Sequence, residues 1–344
     1  LDIVEIERAV IRAAPLFADI NRDVLNDPRV RLIEDDARSA LQRTREPYDV
    51  IVSEPSNPWV AGIAALYTPE YFRIARSRLK PDGVFAQWVQ TYRVPVGVVA
   101  VVVKNLREVF PHVEMWFANT SDLILIASNQ PMRWDGARIM AQSAAGTATQ
   151  RAMADWLEVD RPSLLLGRFL LGDSGTAALA RTARFAHTDN QPTLEFVAAR
   201  GLLATGLANV FDSVTGIRSA VGDTLPDLTG WTLASGEWEQ AYARSLPAGS
   251  TIQQGYADRA LKAAPNDPQR RGEWGVDLFA RSEFRAALPY LQDAVRARPN
   301  DARYLLRLGL SLSATGDLAG GLAMLERSRA AGGDSVYATS VLAE

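Results

Sequence analysis

A chain of 344 residues, 47% hydrophobic and 22% charged, is long enough to bury two or more cores and reads as globular. Its net charge of −3 and the absence of any basic block argue against nucleic acid or an anionic membrane surface as the main partner. Without cysteine it has no disulfide frame, thiolate metal site or cysteine nucleophile, and neither His112 nor His187 has metal-ligand company in the sequence, so no metal is expected.

Leu1 to Ile6 and Val30 to Ile33 are short apolar runs ending in acids, each followed by a helix-like segment. That order predicts parallel strands joined by crossover helices. Asp2-Ile3-Val4-Glu5-Ile6-Glu7 puts a carboxylate at the end of the first strand, where nucleotide-binding sheets hold an acid for ribose hydroxyls. Asp35-Asp36-Ala37 closes the second strand. The third, Tyr48 to Val52, is a Val/Ile run of the kind buried on both faces of a parallel sheet, and it leads into Ser53-Glu54-Pro55-Ser56-Asn57-Pro58. Residues just past such a strand emerge into the ligand crevice, so Glu54 and Asn57 are the first candidates for chemistry. The plainer alternative for each acid is a helix N-cap or a solvated turn.

Further along, Val94 to Val103 is an apolar run of ten residues containing Pro95 and Gly97, short of the roughly 20 needed to span a bilayer. A buried helix is expected there. Residues 135–230 look helical and loop-rich. Gly172-Asp173-Ser174-Gly175 is similar to a serine-protease nucleophile turn, but without the barrel context and a suitably placed histidine it reads as a turn or cap. Trp88 and Trp116 read as core, whereas Trp59 fits a pocket wall equally well.

From about residue 231, residues recur 34 apart: Trp274 with Leu308, Gly275 with Gly309, Phe284 with Leu318, Ala294 with Ser328. The period resembles the tetratricopeptide repeat, a helix pair that buries its apolar face only by stacking on neighbours. A first, irregular repeat is expected near Leu233, with Gly236-Glu237-Trp238 at its helical turn and an insertion around Leu246 to Gly255. The sequence stops at Glu344 without an obvious capping helix, so the last pair is expected to fray or the array to continue. Such arrays present a concave surface, so a protein or peptide partner is expected on 231–344, a purely structural extension being the alternative.

The first 130 residues or so also resemble the spermidine synthase family and its larger fused bacterial relatives. The resemblance runs through Val4-Glu5-Ile6-Glu7, Asp27-Pro28-Arg29-Val30, Asp35-Asp36-Ala37-Arg38, Tyr48-Asp49-Val50-Ile51, Ser56-Asn57-Pro58, Leu66-Tyr67-Thr68, Leu79-Lys80-Pro81-Asp82-Gly83 and Gln87. Thr188-Asp189-Asn190-Gln191-Pro192 with Leu194-Glu195-Phe196 extends it to about residue 200. It implies α/β then all-α architecture: a Rossmann-like, methyltransferase-type parallel sheet over 1–134, an extension over 135–230, and helical repeats over 231–344. It also implies aminopropyl transfer from decarboxylated S-adenosylmethionine to an amine such as putrescine, with a homodimer as the family's usual state.

A protonated amine is inert, so in such an enzyme a carboxylate takes the proton while a second acid holds the far ammonium. The family's turn reads Asp-Ser-Ser-Asp-Pro. Here Glu54 stands at the first aspartate and Asn57 at the second. Glutamate keeps the charge but moves it by about 1.5 Å, and misplacement of that order costs roughly a hundredfold in rate. Asparagine removes a charge whose pairing at about 4 Å is worth up to about 4 kcal/mol at an effective dielectric near 20, so the preference for a diamine is expected to weaken. By resemblance Glu5 binds ribose, Asp36 the adenine edge, Glu54 is the base, and Gln87 lines the amine site, its plainer alternative being an ordinary strand residue. Trp59-Val60-Ala61-Gly62 replaces the family's Gly-Pro-Ala, and Ala37 replaces a glycine.

No glycine precedes Gly62, so the Gly-rich cofactor loop of this fold is missing. The chain is therefore expected to be a truncated piece that binds cofactor weakly by itself. A cytoplasmic location is expected, with an upstream membrane domain left open for the parent chain. Two other functions compete: a degenerate, non-catalytic scaffold beside the repeats, and a methyltransferase using intact S-adenosylmethionine.

Overall fold

The computed structural model describes residues 1–333 except 120, 158, 160, 204–209, 224, 235 and 247–249. Part of the expected insertion after Leu246, and the last residues up to Glu344, lie outside the described residues. Packing divides the chain into two units, Leu1–Met132 with Leu170–Thr224 and Arg133–Phe169 with Leu225–Glu344. The segment 135–230 is thus shared between them.

The first unit is α/β. Its strands are β1 (Asp2–Glu5), β2 (Arg31–Glu34), β3 (Tyr48–Ser53), β4 (Leu79–Gln90), β5 (His112–Asn119) and β6 (Asp122–Ser128). Between them lie α1 (Arg8–Ala13), α2 (Ala18–Asn21), α3 (Ala37–Arg43), α4 (Pro69–Ser77) and α5 (Val96–Val109). β1 pairs in parallel with β2, and β3 in parallel with β4, while β6 runs antiparallel to both β4 and β5. The parallel strand–helix–strand order expected from the sequence is present, but the ladder is not continuous. β1 and β2 form a sheet of their own, apart from the five-stranded sheet that begins at β3. A side-chain bond joins them: the Tyr48 hydroxyl donates to Asp2 Oδ2 at 2.7 Å. The Val/Ile run of β3, expected to be buried on both faces, is buried on one: Ile51 is 8% exposed, whereas Val50 and Val52 on the other face are 57% and 71% exposed.

The core of this unit is built on α5, whose Val98 to Val103 are all buried, as the apolar run predicts. Pro95 precedes its first turn, where a missing N–H costs nothing. Phe85 of β4 stacks on Phe110 at a centroid distance of 5.8 Å and meets Phe72 of α4 edge-on at 5.7 Å.

Next along the chain come β7 (Trp134–Asp135), α6 (Gly136–Gln142), α7 (Ala148–Leu157), α8 (Ser163–Leu166), β8 (Phe169–Leu171), α9 (Asp173–Ala180), α10 (Thr193–Leu203), α11 (Val210–Val221) and β9 (Leu228–Thr229). β8 closes the five-stranded sheet beside β5, and β7 pairs with β9. Ser174 lies in the first turn of α9, consistent with its plain reading.

The second unit carries three helix pairs: α12 (Glu237–Ser245) with α13 (Thr251–Ala263), α14 (Pro268–Ala280) with α15 (Phe284–Ala297), and α16 (Ala302–Ala314) with α17 (Leu318–Ala330). The 34-residue offset maps α14 and α15 onto α16 and α17. Gly275 and Gly309 sit at the crossing inside each pair. A Cβ on Gly275 would lie 2.9 Å from Tyr290 Cβ, and one on Gly309 2.9 Å from the Gly321 carbonyl oxygen, so only glycine permits the approach. Gly236 precedes α12 rather than turning between two helices: with φ +73 it is the N-cap, and the turn of this pair follows Ser245. No helix of the described residues is long and apolar enough to cross a membrane.

Candidate active site

The carboxyl end of β3 gathers three of the five candidates. Parallel pairing places Ser53 in register with Gln87 of β4, so Glu54 leaves the sheet beside that glutamine. Ser53 is buried and its hydroxyl is held by the Tyr71 phenol at 3.1 Å, which fixes the last residue before the turn. Glu54 itself is exposed and makes no hydrogen bond or ion pair among the described residues. Asn57 is half-buried, and its carbonyl accepts from the Val60 N–H at 3.0 Å, closing the turn.

Gln87 is fully buried. Its Nε2 donates to the Trp88 carbonyl at 3.0 Å, but its Oε1 has no partner. A buried carbonyl oxygen left unbonded carries a desolvation cost of about 1–3 kcal/mol, which a ligand donor would relieve. Gln90 repeats the pattern: 1% exposed, Nε2 on the Tyr92 carbonyl at 3.1 Å, and Oε1 unbonded. Tyr92 meets Trp59 edge-on at 6.0 Å, so Trp59 packs on an exposed ring and stands at the surface. The sequence reading did not single out Gln90, since nothing local separates it from any other strand glutamine.

The other two candidates stand at the ends of β1 and β2. Glu5 turns back on its own chain, Oε1 accepting from the Glu7 N–H at 2.7 Å. Asp36 is the N-cap of α3, Oδ2 accepting from the Ser39 N–H at 2.8 Å, so the plain alternative raised for it is realised. The second oxygen of each acid takes no hydrogen bond among the described residues. These two therefore share one ladder, and Glu54, Asn57 and Gln87 another.

The stretch around Asp189 supports the turn from below. Asp189 accepts from Arg38 Nη1 at 2.9 Å and from the Thr68 hydroxyl at 2.8 Å, and the Arg38 guanidinium holds its carboxyl below the usual range. Thr68 in turn caps α4, its hydroxyl accepting from the Tyr71 N–H at 3.2 Å. Glu195 accepts from the Gly62 N–H at 2.9 Å. His187 is fully buried with Nε2 2.8 Å from the Ala64 carbonyl, and burial lowers its pKa. It is therefore a packing residue. The chain from Asp189 to Tyr71 to Ser53 is continuous, and Asp189→Ala is expected to cost about 1–3 kcal/mol in urea unfolding by stranding Arg38. Faster amide exchange over 62–71 should accompany that loss, and unchanged exchange there would remove Asp189 as the support.

A family model, the spermine/spermidine synthase domain, matches residues 1–124. A polyamine aminopropyltransferase of Synechococcus sp. is 36% identical over 115 residues, 33% of this chain and 37% of that one. That of Aeropyrum pernix is 25% identical over 198 residues, 55% of this chain and 62% of that one. The chain thus spans less than two thirds of the length of either relative. Among solved structures, the spermidine synthase of Thermotoga maritima aligns with a TM-score of 0.32 at 19% identity, covering 38% of this chain and 44% of that one. Residues 1–124 of this chain are thus similar to the spermine/spermidine synthase domain.

Proposed function

We propose that this protein transfers an aminopropyl group from decarboxylated S-adenosylmethionine to an amine at the carboxyl ends of β3 and β4. The observation that carries this reading is that an unengaged carboxylate, Glu54, follows the end of β3, whose last residue Ser53 is in register with Gln87, a buried glutamine with an unbonded amide oxygen. The carboxylate takes the proton of the incoming ammonium, freeing its lone pair, and the amide oxygen accepts an N–H of the same amine. The nitrogen then attacks the aminopropyl carbon bound to sulfur, and methylthioadenosine leaves. Glu5 and Asp36, each with one oxygen uncommitted, are assigned the ribose hydroxyls and the adenine amino group. A homodimer is part of the same reading, as is a protein partner on the helix pairs of the second unit.

A scaffold role is the second reading. It is favoured by the break between β1–β2 and β3, which leaves the nucleoside acids on a different sheet from Glu54. The test is mass-spectrometric turnover by the product of the complete gene, given decarboxylated or intact S-adenosylmethionine with a panel of mono-, di- and polyamines. An aminopropylated amine with methylthioadenosine establishes the transfer and names the acceptor. A methylated product moves the assignment to methyl transfer, and no product with either donor leaves the scaffold.

Asn57 sets the acceptor in this scheme. Asn57→Asp is expected to raise the ratio of kcat/KM for putrescine over a monoamine by tenfold or more, since a restored charge pair supplies up to about 4 kcal/mol. An unchanged ratio would mean that Asn57 does not face the acceptor.

A further inference from the structure

The helix pairs of the second unit have two sides, and only one is explained by packing. Leu278, Leu291, Val295, Tyr304, Leu305 and Leu308 form the core between the pairs. On another face the first helices of all three pairs carry polar side chains one turn apart: Gln240 and Arg244 on α12, Glu273 and Asp277 on α14, Arg303 and Arg307 on α16. Together with Arg270 these line a cavity of about 190 Å³.

The cavity is out of electrical balance. Its lining holds four arginines against two carboxylates, and of the four Arg270 is paired from outside by Asp267 at 3.7 Å. Glu273 takes Arg303 Nη1 at 3.1 Å and the Tyr304 hydroxyl at 2.9 Å, with Arg244 Nε at 3.8 Å. Asp277 lies 3.6 Å from Arg281, and burial raises its pKa, which favours the neutral form. Arg307 has no carboxylate within ion-pair distance among the described residues. Its one hydrogen bond, at 3.1 Å, goes to the Arg303 carbonyl, and burial together with the nearby arginine charges disfavours its cation. Elsewhere on the cavity wall Gln240 is 4% exposed with Nε2 unbonded. An unneutralised guanidinium and an unused amide donor thus face one small space.

We infer that this cavity receives a carboxylate side chain, Asp or Glu, from an acidic segment of a partner protein. Arg307 and Gln240 Nε2 then donate to its two oxygens, giving the guanidinium the anion that the helices do not supply. The volume favours a side chain over a free cofactor, because sites for drug-sized molecules run to about 300–1,000 Å³. The array surface around the cavity would hold the rest of the segment. This deepens the reading of the helix pairs as a partner surface and rests on it, while standing apart from the transfer reaction of the first unit.

The test equilibrates the immobilised full chain with a randomised octapeptide pool and sequences what is retained. Retention enriched in Asp and Glu supports the inference. In Arg307→Gln, which breaks no ion pair and should keep the wild-type circular dichroism, affinity for a retained acidic peptide should fall about tenfold, the loss of one charge-assisted hydrogen bond. No retention at all overturns the partner surface itself. Retention without acidic enrichment, acidic binding undiminished in Arg307→Gln, or displacement by millimolar free glutamate as effective as unlabelled peptide overturns the acidic-segment inference alone.

Discussion

Glu273→Gln is expected to destabilise the helical unit by about 3–5 kcal/mol, the usual cost of removing one partner from a buried ion pair. Its side chain is 10% exposed; it is bonded by Arg303 and Tyr304 of the third helix pair and ion-paired with Arg244 of the first. Burial alone would raise its pKa, but the Arg303 and Arg244 guanidinium groups outweigh it and hold the carboxyl well below the ordinary value of 4.5. A folded-state pKa below the unfolded one contributes stability that is complete above pH 4.5 and is lost as pH falls below it. Asp277 acts in the opposite sense, because burial raises its pKa, and its contribution fades as pH rises. The wild-type helices should therefore lose protection against amide exchange as pH is lowered from 6 to 3, and Glu273→Gln should flatten that slope while lowering protection at pH 6. A mutant within about 1 kcal/mol of wild type at pH 6 would mean that the arginines find other partners or water.

The sequence made the strands of the first unit legible because each is a short apolar run stopped by acids, a local signal. The helix over Val96–Val109 was legible for the same reason. The repeats were legible through period: Gly275 and Gly309 occupy the same crossing, and the same offset maps Glu273 onto Arg307, opposite charges at one position of successive pairs. What was not legible is pairing across distance. Arg38 meets Asp189 across 151 residues, and no local pattern announces it. The Thr188 to Phe196 stretch was visible as a motif, but its role as a support under the β3 turn depends on where Thr68 and Gly62 arrive in space. The break between β1–β2 and β3 was hidden likewise, since Val50 and Val52 read as buried residues whichever strands lie beside them. At the site, the strand ends were legible, whereas the burial of Gln87 and its unbonded oxygen required the fold.

Glu54→Gln in the complete gene product is expected to lower kcat for amine transfer by about 10²–10⁴-fold, the range assigned to a positioned general base. The substitution keeps length and shape and removes only the basic oxygen. Because Glu54 is exposed and engages no other described group, stability should change by no more than about 0.5 kcal/mol, so lost activity cannot be traced to unfolding. Nucleoside binding, assigned to Glu5 and Asp36 on the neighbouring strand pair, should be nearly intact. That separation distinguishes a base from a residue that merely orders the turn, which would weaken binding and turnover together. The pH profile gives a second, independent readout. With the carboxylate present to take the ammonium proton, an acceptor that is protonated in solution can still react. With glutamine, turnover should depend on amine already deprotonated in solution, and a more alkaline medium should recover part of the rate. Full activity in Glu54→Gln at neutral pH would remove it as the base and leave proton transfer to water or to a group outside this turn.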